Sequence, residues 1–188
     1  WEFGQKKECI CALQQELLKN DAYIPGYRNE DQNDLARKAD VTASSEMPGN
    51  EAKNIINGIS RTEERSNVWE SEGIRAEGEF VQLKLEQRAT VSEVRITFDP
   101  DLSEEICISV SKAFIDKEKP GVPEKLVKDY DISFWDNGKE VYKKSVRGNH
   151  QRLNVIGLSD AIWANEIKIK IKSTNGYPNA RIFEIRVY

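Results

Sequence analysis

Five short segments of the chain alternate apolar and polar residues with a period of two, and this pattern constrains the fold more than any other. The clearest is IKIKIK at residues 167–172, where isoleucine and lysine alternate without exception. Successive side chains of a β-strand point to opposite faces, so strict alternation indicates strands with one dry and one wet face. Such strands are typical of antiparallel sheets. The same alternation occurs at residues 81–86, 94–98, 130–134 and 183–187, and a further strand with Val141 and Val146 is predicted at 141–146.

Turn residues separate these segments. The clearest hairpin is predicted at Asp136–Lys139, because Asn-Gly suits the primed turns that match the twist of paired strands. Seven to ten strands joined by such turns indicate an all-β protein. We therefore predict an antiparallel β-sandwich of jelly-roll type.

The amino-terminal part follows a different pattern. Residues 5–19 read as an amphipathic helix that ends before Pro25-Gly26, and a short helical turn with Asp34 as its cap is predicted at 34–38. We predict a helical arm or linker over residues 1–37 and the β-sandwich over 38–188. The apolar stripe of the arm favours docking on a larger parent chain.

A polar stretch, AKNIINGISRTEERSNVWES at residues 52–71, is irregular and lies before the predicted strand at 81–86. Its centre, Asn57-Gly58, favours a backbone with positive φ. An anchored loop of this length is commonly functional or closed around a metal. Trp69 at its end is predicted to be core rather than a binding platform, because large aromatic residues bury most of their area.

Composition excludes several classes of protein. The net charge is −4 and no basic run occurs, so nucleic acid is not an expected partner. No apolar run approaches the roughly 20 residues that cross a bilayer. Cys9, Cys11 and Cys107 are predicted to be free thiols, since a zinc site lacks further ligands. His150 is the single histidine, and no nucleophile has a base nearby in sequence, so the chain itself is predicted not to be an enzyme.

Several motifs occur in one order along the chain: VTASSE (41–46), NIINGISR (54–61), VQLKLE (81–86), VSEVRITFD (91–99) and RIFEIRVY (181–188). Together they resemble the F5/8 type C, or discoidin-like, domains over residues 38–188. This resemblance implies a galactose-binding-like jelly roll that acts as a non-catalytic binding module, with carbohydrate as the expected ligand. The alternative is a structural or interdomain docking module without a small ligand.

The segment from Leu13 to Tyr27, continued by 33–46, is similar to the carboxyl-terminal region of FAD-dependent oxidoreductases from gut Bacteroidetes. The similarity implies a longer parent flavoenzyme. No Gly-rich dinucleotide fingerprint follows a strand, so FAD would bind elsewhere in that parent. The chain begins in mid-pattern, so its lack of a secretory signal does not give the parent's compartment. An exported parent would place it in the periplasm or outside the cell.

The discoidin-like resemblance further implies a structural Ca²⁺ in the loop at 54–62, held by hard oxygen ligands. The implied carbonyl ligands are Asn54, Ile59 and Phe183, and the implied side-chain ligands are Asn57, Thr62 and Glu184. The family usually has Asp where Asn57 stands, and the spacing from Thr62 to the following tryptophan is longer than usual. The alternative is a loop closed by hydrogen bonds alone, with Glu184 capping amides or pairing with Arg61.

Sugar-binding relatives carry an aromatic platform with Arg, His and Asn on loops at one end of the sandwich, which suits the C–H face and hydroxyls of a sugar. The candidates for this site are Arg147, Asn149, His150, Arg152, Trp163, Asn165, Tyr177 and Asn179. Each has a structural alternative: Trp163 as core, Tyr177-Pro178 as turn packing, and 147–152 as a solvated hairpin. Trp135 faces away from its neighbours by parity and is either exposed or covered by another segment.

Overall fold

The structure is a computed structural model, and it describes residues 28–62, 65–101 and 121–188. The predicted helix at 5–19 and the three cysteines lie outside these ranges. Two 3-10 turns cover Leu35–Lys38 and Ala52–Ile56. The strands are β1 (Asp40–Ala43), β2 (Trp69–Glu70), β3 (Glu79–Phe98), β4 (Val127–Asp136), β5 (Lys139–Val146), β6 (Leu153–Thr174) and β7 (Arg181–Val187).

Two antiparallel sheets form a β-sandwich, and β3 and β6 contribute to both. Residues 79–84 of β3 pair with 166–171 of β6, and β1, β4 and β5 complete a five-stranded sheet. Residues 93–97 of β3 pair with 153–157 of β6, and β7 and β2 complete a four-stranded sheet. Register shifts in β3 at Lys84/Ala89 and Val91/Glu93 lie between the two halves. The sequence predicts two separate strands at 81–86 and 94–98, whereas the structure joins them in one, because bulges bend a strand without ending it.

The inward-facing residues of the two sheets form one core. Ile167, Ile169 and Ile171 are fully buried, while Lys168 and Lys170 are half-buried and Lys172 is exposed, as the alternation predicts. The ring centroids of Phe98 and Tyr130 lie 5.2 Å apart in an edge-to-face arrangement. The predicted β-sandwich is therefore confirmed.

Local turn predictions also hold. Asn137 and Gly138 both have positive φ, 50° and 81°, as a type I′ hairpin requires. Asp34 caps the first 3-10 turn by accepting from the Ala36 amide at 3.0 Å.

Val141 departs from the predicted strand pattern and is exposed, while the ring of Tyr142 packs against that of Phe134, with the centroids 5.8 Å apart. A register shift between Phe134 and Trp135 inverts the faces of β5.

Residues 28–62 cover the outer face of β7. Asp34 Oδ1 accepts from the Val187 amide at 2.8 Å, and the Asn29 amide donates to Gly58 O at 2.6 Å. Residues 28–37, which the sequence assigns to the arm, thus lie against the sandwich. Glu184 and Arg186 of β7 are buried beneath this cover. Among the residues that the structure describes, no helix is long and apolar enough to span a membrane.

Asp131 pairs with several cationic side chains on the outer face of the five-stranded sheet. Its carboxylate accepts from Ser145 Oγ, Arg147 Nη2 and Lys172 Nζ, each at 2.7 Å, and Lys143 Nζ lies 3.8 Å away. Burial alone would raise the pKa of Asp131, but these donors outweigh it and hold the pKa well below its usual range.

We expect Asp131→Asn to lower the free energy of unfolding at pH 7 by about 1 to 2 kcal/mol, since the cations are half-exposed and solvent screens them. The pKa is lower in the folded than in the unfolded chain. The ionised carboxylate therefore stabilises the fold above the unfolded-state pKa of about 3.9, and the effect is lost as pH falls through the folded-state pKa.

Urea unfolding of the Asn variant and the wild type from pH 7 to pH 3 measures this. The difference should be constant down to about pH 5 and shrink below about pH 4. Asp160→Asn, at an exposed carboxylate of β6, is the control and should show no such convergence. A difference for Asp131→Asn that persists unchanged at pH 3 would contradict the ionic role.

Candidate functional site

The predicted ligand-binding residues separate into two groups at opposite ends of the sandwich. Loops 71–78, 147–152 and 175–180 meet at one end, which we call the open end, where β3 begins and β6 ends. Trp163 and Asn165 instead lie in the middle of β6, beside the β4–β5 turn. The 11 residue steps from Trp163 to Thr174 correspond to about 36 Å along the strand. The structure therefore does not bring all eight candidates into one site.

Residues 147–149 mainly hold the open end together. The Arg147 guanidinium donates to Asp131 Oδ1 at 2.7 Å and to Tyr130 O at 2.9 Å. Asn149 is buried, and its amide donates to Val127 O at 2.7 Å. These contacts fasten the β5–β6 connection to β4, so the two side chains have a structural role.

His150 and Arg152 point in different directions. His150 is exposed, and its Nδ1 lies 3.4 Å from Gly148 O. Arg152 turns into the protein, where Nη2 donates to Ser60 O. Burial lowers the pKa of Arg152, and Asp99 and Glu184 oppose this effect. Arg152 belongs to the loop around Ser60 rather than to the open-end surface.

Tyr177 and Asn179 converge on Glu70. Tyr177 Oη donates to Glu70 Oε1 at 3.1 Å, and Asn179 Nδ2 donates to the same oxygen at 2.8 Å. Arg181 pairs with the other oxygen of Glu70 and donates from Nε to Asp99 Oδ2 at 2.7 Å. Burial and the hydrogen bond to Glu70 raise the pKa of Tyr177. This buried network fixes the position of the Tyr177 ring.

A cleft of about 530 Å³ opens beside Tyr177. Its walls are the β2–β3 loop, with Gly73 and Ile74, and the end of β6 with the following turn. Lys125 Nζ lies 5.5 Å from the centroid of the Tyr177 ring. The cleft combines an aromatic side chain, an apolar contact at Ile74 and hydroxyl or ammonium donors. The residues that line it are Gly73, Ile74, Lys172, Ser173, Thr174, Gly176, Tyr177 and Pro178.

At the opposite end, Trp163 is 51% exposed, so it is a surface residue and not core. The Arg88 guanidinium lies 4.6 Å from the centroid of its ring and is held by Asp136 through two hydrogen bonds of 2.8 Å. Asn165 Oδ1 accepts from the Asn137 amide at 3.0 Å, which fastens the β4–β5 turn. Trp135 is half-buried and donates to Ser133 Oγ at 3.0 Å.

Among the oxygens predicted to hold calcium, the side-chain oxygen of Asn57 is engaged by a protein donor. Asn57 Oδ1 accepts from the Ile59 amide at 2.7 Å, and Asn57 Nδ2 donates to Asn67 Oδ1 at 3.4 Å. Asn54 is buried and donates to Val68 O at 2.9 Å. Thr62 is exposed and reaches only Ser66 O, at 3.4 Å. Thr62 therefore does not point at the centre of the loop, whereas Asn67, which the sequence analysis missed, does.

Glu184 and Phe183 close the other side of this loop. Phe183 is buried where β7 bulges against Thr97/Phe98. Glu184 is 1% exposed, and its Oε2 lies 3.0 Å from Arg186 Nε. Burial raises the pKa of Glu184, and the attraction of Arg186 opposes this rise. Glu184 thus lies beside a guanidinium of its own strand, but neither of its buried carboxylate oxygens has a hydrogen-bond partner among the described residues.

Sequence reasoning missed Glu70, Asp99 and Arg181, which support the cleft. All three are charged residues at the ends of strands, positions that usually face solvent. Glu70 directly follows the core residue Trp69 in a strand, and the alternation of faces would place it away from the core, so no signal of its burial was present in the sequence. The pairing with Arg181, 111 residues later, is visible only in three dimensions.

Solved structures share this fold. The family 32 carbohydrate-binding module of C. perfringens NanJ, in complex with galactose, is 21% identical, with 82% of this chain and 96% of that chain covered and a TM-score of 0.59. The corresponding module of Streptococcus pneumoniae EndoD is 20% identical, with 83% and 99% covered and a TM-score of 0.64. The lectin domain of lectinolysin, complexed with Lewis B antigen, is 16% identical, with 84% and 97% covered and a TM-score of 0.61.

No family model matches the chain, and no curated protein matches it. At these identities, the structural likeness establishes the fold. The chain therefore has the β-sandwich fold of these solved carbohydrate-binding and lectin domains.

Proposed function

We propose that this chain is a non-catalytic carbohydrate-binding module that holds a sugar in the cleft beside Tyr177. The fold supports this, because neighbours that are covered almost completely are modules solved with galactose or described as fucose-binding. The Tyr177 ring is the observation that locates the proposed site. It lines the cleft, and the hydrogen bond from its hydroxyl to Glu70 fixes its position there.

The cleft supplies the two contacts that a sugar needs. Tyr177 and Ile74 offer apolar area for the C–H face of a pyranose ring. Lys172 supplies an ammonium group that also pairs with Asp131. The hydroxyls of Ser173 and Thr174 donate within the protein, so their oxygens are left to accept from the hydroxyls of the sugar. The cleft is open and holds one or two sugar units rather than a buried chain. Its ligand class is therefore the exposed end of a glycan.

A glycan array followed by calorimetry tests this proposal. We expect binding of a galactose- or fucose-terminated glycan, and Tyr177→Ala should weaken it at least about tenfold through loss of the aromatic contact. Tyr177→Phe keeps the ring but removes its bond to Glu70, so it should weaken binding less than Tyr177→Ala does. Trp163→Ala, at the far end, should bind like the wild type.

The outcomes assign the site. Loss of binding in Trp163→Ala with normal binding in Tyr177→Ala would move the site to the opposite end. No binding of any glycan at millimolar concentration would overturn the carbohydrate function. Circular dichroism of each variant separates loss of binding from loss of folding.

We also propose that the module is the carboxyl-terminal part of a larger FAD-dependent oxidoreductase, on the strength of the resemblance over residues 13–46. The exposed Trp163 and Arg88, away from the cleft, favour a second role as a docking surface for that parent chain. A full-length protein with flavin absorbance, beside a colourless module, is the expected result. A colourless full-length protein would contradict the proposed parent.

A further inference from the structure

Three asparagines of the chain are each followed by glycine, at Asn57-Gly58, Asn137-Gly138 and Asn175-Gly176. This dipeptide is chemically labile, because the main-chain nitrogen that follows an asparagine can attack its side-chain amide and expel ammonia. Glycine favours the attack, since it has no Cβ to hinder the approach of the two groups. The three dipeptides have the same intrinsic chemistry, so the fold decides which of them reacts.

Asn57 is held in place at both groups that would have to react. Its Oδ1 accepts from the Ile59 amide at 2.7 Å, and its Nδ2 donates to Asn67 Oδ1 at 3.4 Å. The following Gly58 is buried, and a Cβ built on it would collide with the Arg37 guanidinium. The side chain must leave its partners, and the loop must open to base, before the glycine nitrogen can attack.

Asn175 is held in a comparable way. Its Nδ2 donates to Leu126 O at 3.0 Å and to Asn149 O at 3.3 Å, which ties the turn after β6 to the start of β4. The main-chain amide of Asn175 also donates to Leu126 O, at 3.0 Å. The attacking nitrogen is engaged as well, because the Gly176 amide donates to Thr174 Oγ1 at 3.4 Å.

Asn137 lies in a different setting, at the tip of the β4–β5 hairpin. Both Asn137 and Gly138 are exposed, and a Cβ built on Gly138 would meet no atom within 4 Å. The characteristic bond of the turn joins the Lys139 amide to Asp136 O, so the Gly138 amide is outside the ladder. Asn137 Nδ2 donates at 3.0 Å to the adjacent, partly exposed Asp136. The bond from the main-chain amide of Asn137 to Asn165 leaves the side chain able to rotate.

We infer that Asn137 is a site of spontaneous deamidation and that the fold protects Asn57 and Asn175 from the same reaction. The Gly138 nitrogen loses its proton to hydroxide and bonds to Asn137 Cγ. The bond from Cγ to the side-chain nitrogen breaks, and this nitrogen takes a proton from water and leaves as ammonia. Water then adds to either carbonyl of the five-membered succinimide and breaks its bond to the ring nitrogen. The products are aspartate and isoaspartate, and the net reaction converts an amide and one water into a carboxylate and ammonium.

The reaction would change a defined part of the surface. The new carboxylate would lie beside Asp136, whose two oxygens hold the Arg88 guanidinium 4.6 Å from the centroid of the Trp163 ring. Isoaspartate also adds one methylene to the main chain, so the two-residue turn no longer matches the twist of β4 and β5. This inference does not depend on the proposed sugar site, which lies at the other end of the sandwich.

Peptide mapping by mass spectrometry after incubation of the folded protein at about pH 8 tests the inference. Trypsin cuts after Lys and Arg, so the three asparagines fall in separate peptides, 54–61, 129–139 and 173–181. We expect Asn137 to be deamidated at least about tenfold faster than Asn57 and Asn175, because those two sites must first open locally. In concentrated urea the three rates should agree within about threefold, since little of the native protection remains.

The other two sites thus serve as internal controls in one molecule. Equal rates at the three sites of the folded protein would overturn the inference, because the fold would then make no distinction between them. Protection of Asn137 in the folded protein, with rapid reaction in urea, would also overturn it.

Asn137→Gly provides a second measurement, on the intact protein. The type I′ turn accepts Gly-Gly, so the hairpin is retained while the reactive amide is removed. On ion exchange, the incubated wild type should form a species with one more negative charge, and the variant should form it at least about tenfold more slowly. Formation of this species at the wild-type rate in Asn137→Gly would show that another amide is the reactive one.

Discussion

Replacing Trp69 by alanine is expected to lower the free energy of unfolding by about 3 to 5 kcal/mol, the range for truncating a large buried aromatic residue. Trp69 is fully buried between the sheets, and its Nε1 donates to Ser45 O at 3.0 Å. The substitution opens a cavity and also leaves that buried carbonyl without its donor. A loss of this size is a large fraction of the stability of an ordinary domain.

Trp163→Ala is the matched control, because it removes the same side chain from a position that is 51% exposed. Urea unfolding followed by far-UV circular dichroism gives both values on one scale. We expect the Trp163 variant to stay within about 1 kcal/mol of the wild type. Equal losses in the two variants would mean that Trp69 is not the core residue that the structure describes.

Arg181→Met is expected to lower the free energy of unfolding by about 3 to 5 kcal/mol and also to weaken the proposed sugar binding. Arg181 pairs with Glu70 and Asp99, whose side chains are only 7% and 4% exposed. Without the guanidinium, two buried carboxylates lose their counter-charge, which costs far more than the net value of the ion pair. Glu70 also holds Tyr177 and Asn179, so the wall of the cleft would shift with it.

Arg88→Met supplies the control for this second prediction. Arg88 donates to both oxygens of a single carboxylate, Asp136, but this pair lies at the surface. Surface pairs contribute little, so its unfolding curve should overlay that of the wild type. Unchanged stability in Arg181→Met would show that Glu70 and Asp99 are not held as charged groups. Lost stability with unchanged glycan affinity would instead separate the network from the cleft.

The alternation of residues predicted most of the sandwich, because the period of two is a local property of a strand. The segment IKIKIK at 167–172 has one apolar face, and in the structure its three isoleucines are buried in the core. The same logic failed at Val141, since a bulge between Phe134 and Trp135 shifts the faces of β5 by one residue. Bulges depend on the partner strand, so no single segment encodes them.

The candidate site could be predicted only in part. Tyr177 was identified from the residue types on a loop, and it lines the cleft. Trp163 was grouped with it, yet the register of β6 against β3 places it at the other end. Arg152 was read as a surface donor, yet it reaches 92 residues back to Ser60. Residue types indicate what a side chain can bind, and long-range pairing decides where it points.

By itself, the sequence determined that this protein has two antiparallel sheets with one core, the hairpin at Asn137-Gly138 and the cap at Asp34, since each depends on residues within a few positions of one another. Only the tertiary structure decided which charged groups are buried, which loops share an end and which donors fill the loop at 57–67. Those features join Glu70 to Arg181, Ser60 to Arg152 and Asp34 to Val187. Contacts between residues so far apart in sequence form only when the whole chain has packed. Packing removes solvent from these polar groups, and their hydrogen bonds are stronger in the interior than in water.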